Sequence, residues 1–243
     1  MDIIKVISLK RSTGRRDEFT KMNSQLKFEF VDAIDGSELT RESITKTNLF
    51  HQELPYTSGA YGCALSHLSL WEEAIKFSKV ITVAEDDAIF RLDFEEQYSQ
   101  LLSGISPDWD IILWGWNFDS ILSLYAMPNI SSTVMLFNEV QLRNSIYNFQ
   151  RFQEKPNLIR LDKCFGTPAY SISPNGAKKF RSLCFPITKF NLFFPVLNRE
   201  FPNNGIDIAM NRIYQVTNSL VCFSPLVVTK NDRSKSTVQN NSL

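Results

Sequence analysis

Short runs of strand-forming apolar residues alternate along this chain with stretches of helical period, and that alternation narrows the fold to the α/β class. Residues 3–9 form such a run, rich in β-branched side chains, and the segment after it, KRSTGRRDEFTKMNSQL, reads as a polar amphipathic helix capped by Ser12 or Thr13. KFEFVDAIDG then alternates apolar and polar positions and ends on Asp35-Gly36, a turn signal, which completes a β-α-β unit. Ala64, Leu68, Trp71 and Ile75 share one helical face, so TSGAYGCALSHLSLWEEAIKF is expected as a helix with Ser58 as its cap. Strands are expected at 80–84 and within 109–115, with a helix over about 94–102 between them. Residues 117–160 carry no clean period. Order returns at a strand over 169–173 that hands directly to a helix, with Ser173 as cap and Pro174 in the first turn, and a last helix begins near Asp207. The result is an α/β chain with a mainly parallel sheet.

The strand at 80–84 runs into three acids, Glu85, Asp86 and Asp87. Like charges so close repel one another and resist burial unless a cation joins them or water reaches them freely. In an open α/β sheet, ligands lie just beyond the carboxyl ends of the strands. Carboxylate oxygens there suit Mg²⁺ or Mn²⁺, which take one or two carboxylates and complete their shell with water and phosphate oxygens. On these residues alone, a cation site and a solvated acidic loop both stand.

Composition removes several function classes. Lys and Arg together number 26, as do Asp and Glu, so no charge excess favours a nucleic acid partner. Four cysteines at 63, 164, 184 and 222 form no Cys-x-x-Cys, and with two histidines, His51 and His67, they speak against structural zinc and for reduced thiols. The first residues enter a strand pattern without a signal-peptide layout, and no apolar run reaches the roughly 20 residues of a spanning helix. A cytoplasmic location is the expectation. No Walker loop or Gly-x-Gly-x-x-Gly follows a strand. Without repeats or linkers, residues 1–243 read as a single domain.

Taken in order, IKVISLKRSTGRRDEF, FEFVDAIDG, GAYGCALSHLSLWEEAI, VITVAEDDAIF and FGTPAYSISPNGAKKF resemble the family 25 glycosyltransferases, the bacterial lipooligosaccharide-type enzymes typified by galactosyltransferases. That resemblance implies a GT-A-like, Rossmann-type nucleotide-sugar-binding fold with a mixed, mainly parallel sheet flanked by helices. It also implies a UDP-sugar donor, a divalent cation (Mn²⁺ or Mg²⁺) and transfer of a hexose, galactose or glucose, to a glycan or glycolipid acceptor, with inversion. By the match, Glu85, Asp86 and Asp87 occupy the acidic donor-and-metal motif, with Asp87 the direct metal ligand, Glu85 a second one, and Glu85 or Asp86 a contact to the donor ribose or to metal-bound water. Ser66 and His67 fall in the donor pocket, although Ala60 stands where the family commonly has an acid.

The remaining expected donor contacts are Ser8, Leu9, Arg11 and Arg15 at the end of the first strand, and Asp32 and Asp35, whose other reading is turn formation. Gly166, Thr167 and Tyr170 are assigned to the acceptor side by the match. An inverting transferase needs a carboxylate to take the acceptor's proton. Asp207 is the first candidate, its alternative role being to favour the helix N-terminus it occupies, and Asp119 and Asp162 stand behind it. Residues 1–116 would bind donor and metal, 117–229 the acceptor, and 230–243 form a polar tail. Phe190, Phe193 and Phe194 read as core, sugar platforms or a lipid contact. Lys230, Arg233 and Lys235 are candidates for peripheral contact with the cytoplasmic face of a bacterial inner membrane. A catalytically silent nucleotide-sugar or glycan-binding protein on the same scaffold is the alternative function.

Overall fold

The computed structural model describes residues 2–127 and 130–230. The chain opens with β1 (Ile4–Ser8), α1 (Thr13–Met22), β2 (Phe28–Asp32) and the short α2 (Arg41–Lys46). The long helix α3 (Ser58–Phe77) follows, then β3 (Ile81–Glu85), β4 (Ala88–Phe90), α4 (Phe94–Ser103) and β5 (Ile111–Leu113). The stretch without a clean period holds β6 (Ile121–Met127), β7 (Ser131–Leu136), α5 (Glu139–Asn144), α6 (Ile146–Gln150) and the start of β8 (Asn157–Cys164). The chain continues through β9 (Ala169–Ile172), α7 (Pro174–Cys184), the hairpin β10 (Asn191–Phe194) and β11 (Arg199–Pro202), α8 (Ile206–Asn211), β12 (Ser219–Phe223) and β13 (Val227–Thr229).

Among the described residues nine strands form one sheet in the order β2-β1-β3-β9-β5-β12-β8-β6-β7, the mixed, helix-flanked sheet expected from the sequence. Its parallel portion is β2-β1-β3 together with β5-β12. The other five pairings are antiparallel, because β9 inserts between the parallel groups and β8, β6 and β7 meander at the far edge. The sheet is thus less parallel than the sequence reading has it, since β9 pairs antiparallel with both of its neighbours and the aperiodic stretch adds the antiparallel strands β6, β7 and β8.

Period-two alternation feeds two cores. Ile111 and Leu113 pack with α3, α7 and α8, while Ile112 and Trp114 pack on the other face with Phe19 of α1 and Phe94 and Tyr98 of α4. The cap of α3 is Thr57, whose Oγ1 accepts from the amide of Ala60 at 3.1 Å, so the helix starts one residue earlier in its capping than Ser58 would place it. For α7 the expectation holds, with Ser173 Oγ accepting from the Gly176 amide at 2.9 Å and Pro174 in the first turn. Phe194 is buried and Phe190 partly so, packing with Phe165 and Ile208, while Phe193 points outward. Arg233 and Lys235 lie outside the described residues; Lys230 Nζ lies 3.3 Å from Glu18 Oε1 at the surface.

Two glycines fix the seat of α3. A Cβ on Gly36 would sit 1.8 Å from the Ser58 carbonyl oxygen, and one on Gly62 would sit 2.4 Å from that of Ile34. The loop after β2 therefore lies directly on the first turns of α3, with backbone against backbone. That contact brings the ends of β1, β2 and β3 and the start of α3 around one hollow.

Candidate functional site

The hollow is a cleft of about 460 Å³ at the carboxyl ends of β1 and β3, bounded by the loop after β2, the first turns of α3, the 166–167 loop and the start of α8. Ser8, Leu9, Arg11, Arg15, Asp35, Ser66, His67, Glu85, Asp86, Asp87, Gly166, Thr167 and Asp207 all line it. Two expected residues do not. Asp32 is exposed at the end of β2 and accepts from Arg16 Nη2 at 2.6 Å. Tyr170 is wholly buried, because alternation along β9 turns it towards α3 and away from the cleft.

The three acids have different surroundings. Asp86 is consumed within the protein: Ser8 Oγ donates to its Oδ2 at 2.7 Å, and Arg15 donates to its Oδ1 through Nε at 2.8 Å and again through Nη2. It ties the ends of β1 and β3 to α1. Asp87 keeps Oδ1 buried without a hydrogen-bond partner among the described residues, while its Oδ2 lies 3.5 Å from Arg15 Nη2. Burial pushes its carboxyl up, and the Arg15 guanidinium opposes that rise. Glu85 accepts from Thr167 Oγ1 at 3.0 Å. Its carboxyl is raised, first by burial and then by the charge of Asp87.

Among the described residues no group of three or more His, Cys, Asp or Glu side chains is arranged to hold a metal. The donor set is still of the right kind. Two carboxylates that burial raises, one with an orphaned buried oxygen and only partly offset by Arg15, fit a Mg²⁺ or Mn²⁺ ion that takes its other ligands from phosphate and water. Asp87 and Glu85 would hold it, and Asp86 would not.

Across the cleft, Asp207 lies in the first turn of α8 and its Oδ2 accepts from the Gly166 amide at 3.0 Å. Burial raises its carboxyl. Gly166 has φ +77°, and a Cβ there would fall 2.2 Å from Asn117 Cγ, so Asn117 presses on this loop. Of the other two carboxylate candidates, Asp119 lies near enough to raise Asp207 further. Asp162 is buried and spent on Ser123 Oγ at 2.6 Å and Lys163 Nζ at 2.9 Å. Arg11 pairs with Asp35, whose Oδ1 also accepts from Ser37 N at 3.0 Å, so Asp35 forms the turn and lines the cleft at once.

In the wall formed by α3, Ser66 Oγ donates to the Gly62 carbonyl at 2.7 Å and accepts from the Ile34 amide at 2.8 Å, which leaves it a brace for the loop after β2. His67 is fully buried, with Nδ1 2.9 Å from Tyr170 Oη, and burial lowers its pKa to about 4, so it is neutral. Asn117, Asn204, Gly205 and Thr229 also line the cleft and carry no local signal in the sequence, because only the fold brings them to the acids. Thr229 arrives through β13, which pairs with β4 immediately after Asp87.

A family model described as Glycosyltransferase family 25 (LPS biosynthesis protein) matches residues 1–194. The chain is 27% identical over 248 aligned residues to human procollagen galactosyltransferase 2, covering 93% of this chain and 34% of that protein. It is 31% identical to human inactive glycosyltransferase 25 family member 3, over 47% of this chain and 22% of that protein. The chain thus spans about a third or less of the length of these curated relatives. Among solved structures, mouse xyloside xylosyltransferase 1 aligns over 96% of this chain and 85% of that chain, with a TM-score of 0.41 and 10% identity.

Proposed function

The chain belongs to glycosyltransferase family 25, and from that premise we propose that it transfers a hexose, galactose before glucose, from a UDP-sugar to a hydroxyl of a saccharide acceptor, with a divalent cation. The observation that carries this reading is the pairing, in one cleft at the strand ends, of two under-compensated carboxylates, Glu85 and Asp87, with a third, Asp207, on the opposite wall. Galactose is favoured by the name of the human relative. A lipopolysaccharide or lipooligosaccharide acceptor is favoured by the description of the family. Such a lipid-borne acceptor would bring the chain to a membrane surface. No helix among the described residues is long and apolar enough to cross one.

When bound, Mg²⁺ or Mn²⁺ supplies positive charge against the oxygens of the departing UDP. Asp87 and Glu85 would hold it; Arg15 keeps the neighbouring Asp86 in place and adds a fixed cation beside the acids. Asp207, with burial holding its proton affinity above that of a solvated aspartate, is the assigned acceptor of the incoming hydroxyl's proton.

The test is UDP release from UDP-galactose and UDP-glucose against a panel of saccharide acceptors, with Mn²⁺ and with a chelator. Asp87→Ala is expected to lower turnover by about 100-fold or more, the scale of losing a charge that stabilises the leaving group. Full metal-dependent turnover by that variant would remove Asp87 from the site. The likeness to a relative named inactive supports a second reading, a silent nucleotide-sugar or glycan-binding protein. Tight UDP binding without turnover on any acceptor of the panel would establish it.

A further inference from the structure

Behind the cleft wall three side chains from α3 and β9 form a hydrogen-bonded line. Trp71 Nε1 donates to Tyr170 Oη at 2.9 Å, and Tyr170 Oη lies 2.9 Å from His67 Nδ1. An indole N–H is a donor only, so it fills one lone pair of the phenol oxygen. The phenol's own proton then has His67 Nδ1 as its acceptor, which leaves Nδ1 bare and puts the proton of the neutral imidazole on Nε2. That Nε2 is buried and has no hydrogen-bond partner among the described residues, and His67 is one of the residues that line the cleft. Glu85 Oε1 is 3.9 Å away, beyond a hydrogen bond.

Native structures rarely leave a buried donor idle without cause. The donor lies 3.9 Å from a carboxylate oxygen, and an oxygen about 2.8 Å from both would bond to each. Such an atom must accept from Nε2–H and donate to Oε1. A hydroxyl does both; a phosphate oxygen only accepts and would meet the Glu85 charge.

We propose that the Trp71–Tyr170–His67 line makes His67 a fixed Nε2–H donor which, together with Glu85 Oε1, receives a sugar hydroxyl of the nucleotide-sugar donor. Tyr170, which the family resemblance assigns to the acceptor side, thereby acts as a positioning residue on the donor side, one layer behind the cleft. Thr167 Oγ1 steadies the same Oε1 at 3.0 Å, and Oε2 is left for other work. The hydroxyl belongs either to the ribose or to the hexose. The proposal rests on the nucleotide-sugar reading above, and its test separates the two.

Nitrogen-15 NMR of the imidazole in the ligand-free protein reads the tautomer directly. Wild type is expected to show Nε2–H for His67, and Tyr170→Phe a mixture. Binding is then measured with UDP, 2′-deoxy-UDP, 3′-deoxy-UDP and UDP-galactose. Tyr170→Phe and His67→Ala are expected to weaken the hydroxyl-bearing ligand roughly 10-fold while leaving its deoxy analogue unchanged; His67→Gln, which keeps a donor N–H, restores most of the loss. Loss with UDP assigns the hydroxyl to the ribose, and loss confined to UDP-galactose assigns it to the hexose. Nδ1–H in wild type, or equal losses for UDP and both deoxy analogues, would overturn the proposal. Wild type that binds none of these nucleotides would overturn the functional reading instead, and the tautomer result would still decide the chemistry of the wall.

Discussion

Glu85 and Asp86 are adjacent acids with opposite surroundings. Asp86 is matched by Arg15 and Ser8, whereas Glu85 has Thr167 as its donor and the charge of Asp87 beside it. A carboxyl raised by folding favours the native state below its unfolded value, near 4.5, and loses that advantage as pH climbs towards the raised value. Glu85→Gln is therefore expected to leave the melting temperature unchanged at pH 4 and to raise it at pH 8 in chelator. The gain, discounted for the side of the carboxylate open to the cleft, is roughly 2–4 °C. Thermal denaturation at the two pH values checks it, and a gain at pH 4 alone would reverse the assignment of strain to Glu85. The place of the acids was legible in the sequence, because a strand that ends on charges points its end at solvent or a ligand. Their division of labour was not, because Arg15 reaches Asp86 across 71 positions of chain. Asp32 and Tyr170 were misplaced for a related reason: strand alternation decides which face a residue takes, and its phase is set by pairing in the sheet.

At the scale of elements, the seat of α3 makes two principles disagree, and the disagreement can be measured. Helix propensity says that Gly62→Ala should stabilise the helix by about 1 kcal/mol. The close approach says otherwise, since the new methyl would meet the backbone of Ile34 at 2.4 Å and of Gly36 at 2.7 Å. Overpacking of that kind costs roughly 1–3 kcal/mol, and the rigid partner here is backbone, so a net loss of stability is expected in chemical denaturation. A gain would show that the loop after β2 moves freely on α3. The long amphipathic α3 was plain from its period; that its Gly62 seats a loop whose Gly36 lies 26 positions earlier was not. The hairpin β10–β11 and the meander β6–β7–β8 escaped the sequence reading because their strands are short, half-exposed or irregular in register.

Across the whole molecule, the division into a donor part and an acceptor part does not follow the order of the strands. β9 pairs with both β3 and β5, and β12 stands between β5 and β8. Residues 1–116 alone would leave β3 and β5 without the strand that joins them. That fragment is expected not to fold, and the full chain to unfold in a single transition that coincides by far-ultraviolet circular dichroism and by fluorescence. Two separated transitions would show that the halves are independent. The cleft draws on the same interleaving, taking its floor from β1 and β3 and its opposite wall from the 166–167 loop and α8. All four tryptophans are buried, so quenchers dissolved in the medium have poor access to them. Trp71 alone of them is bonded through Tyr170 to the imidazole lining the cleft. On the proposal above, a ligand hydroxyl that reaches this imidazole is expected to alter the emission of Trp71, a native optical gauge of occupancy that needs no attached dye.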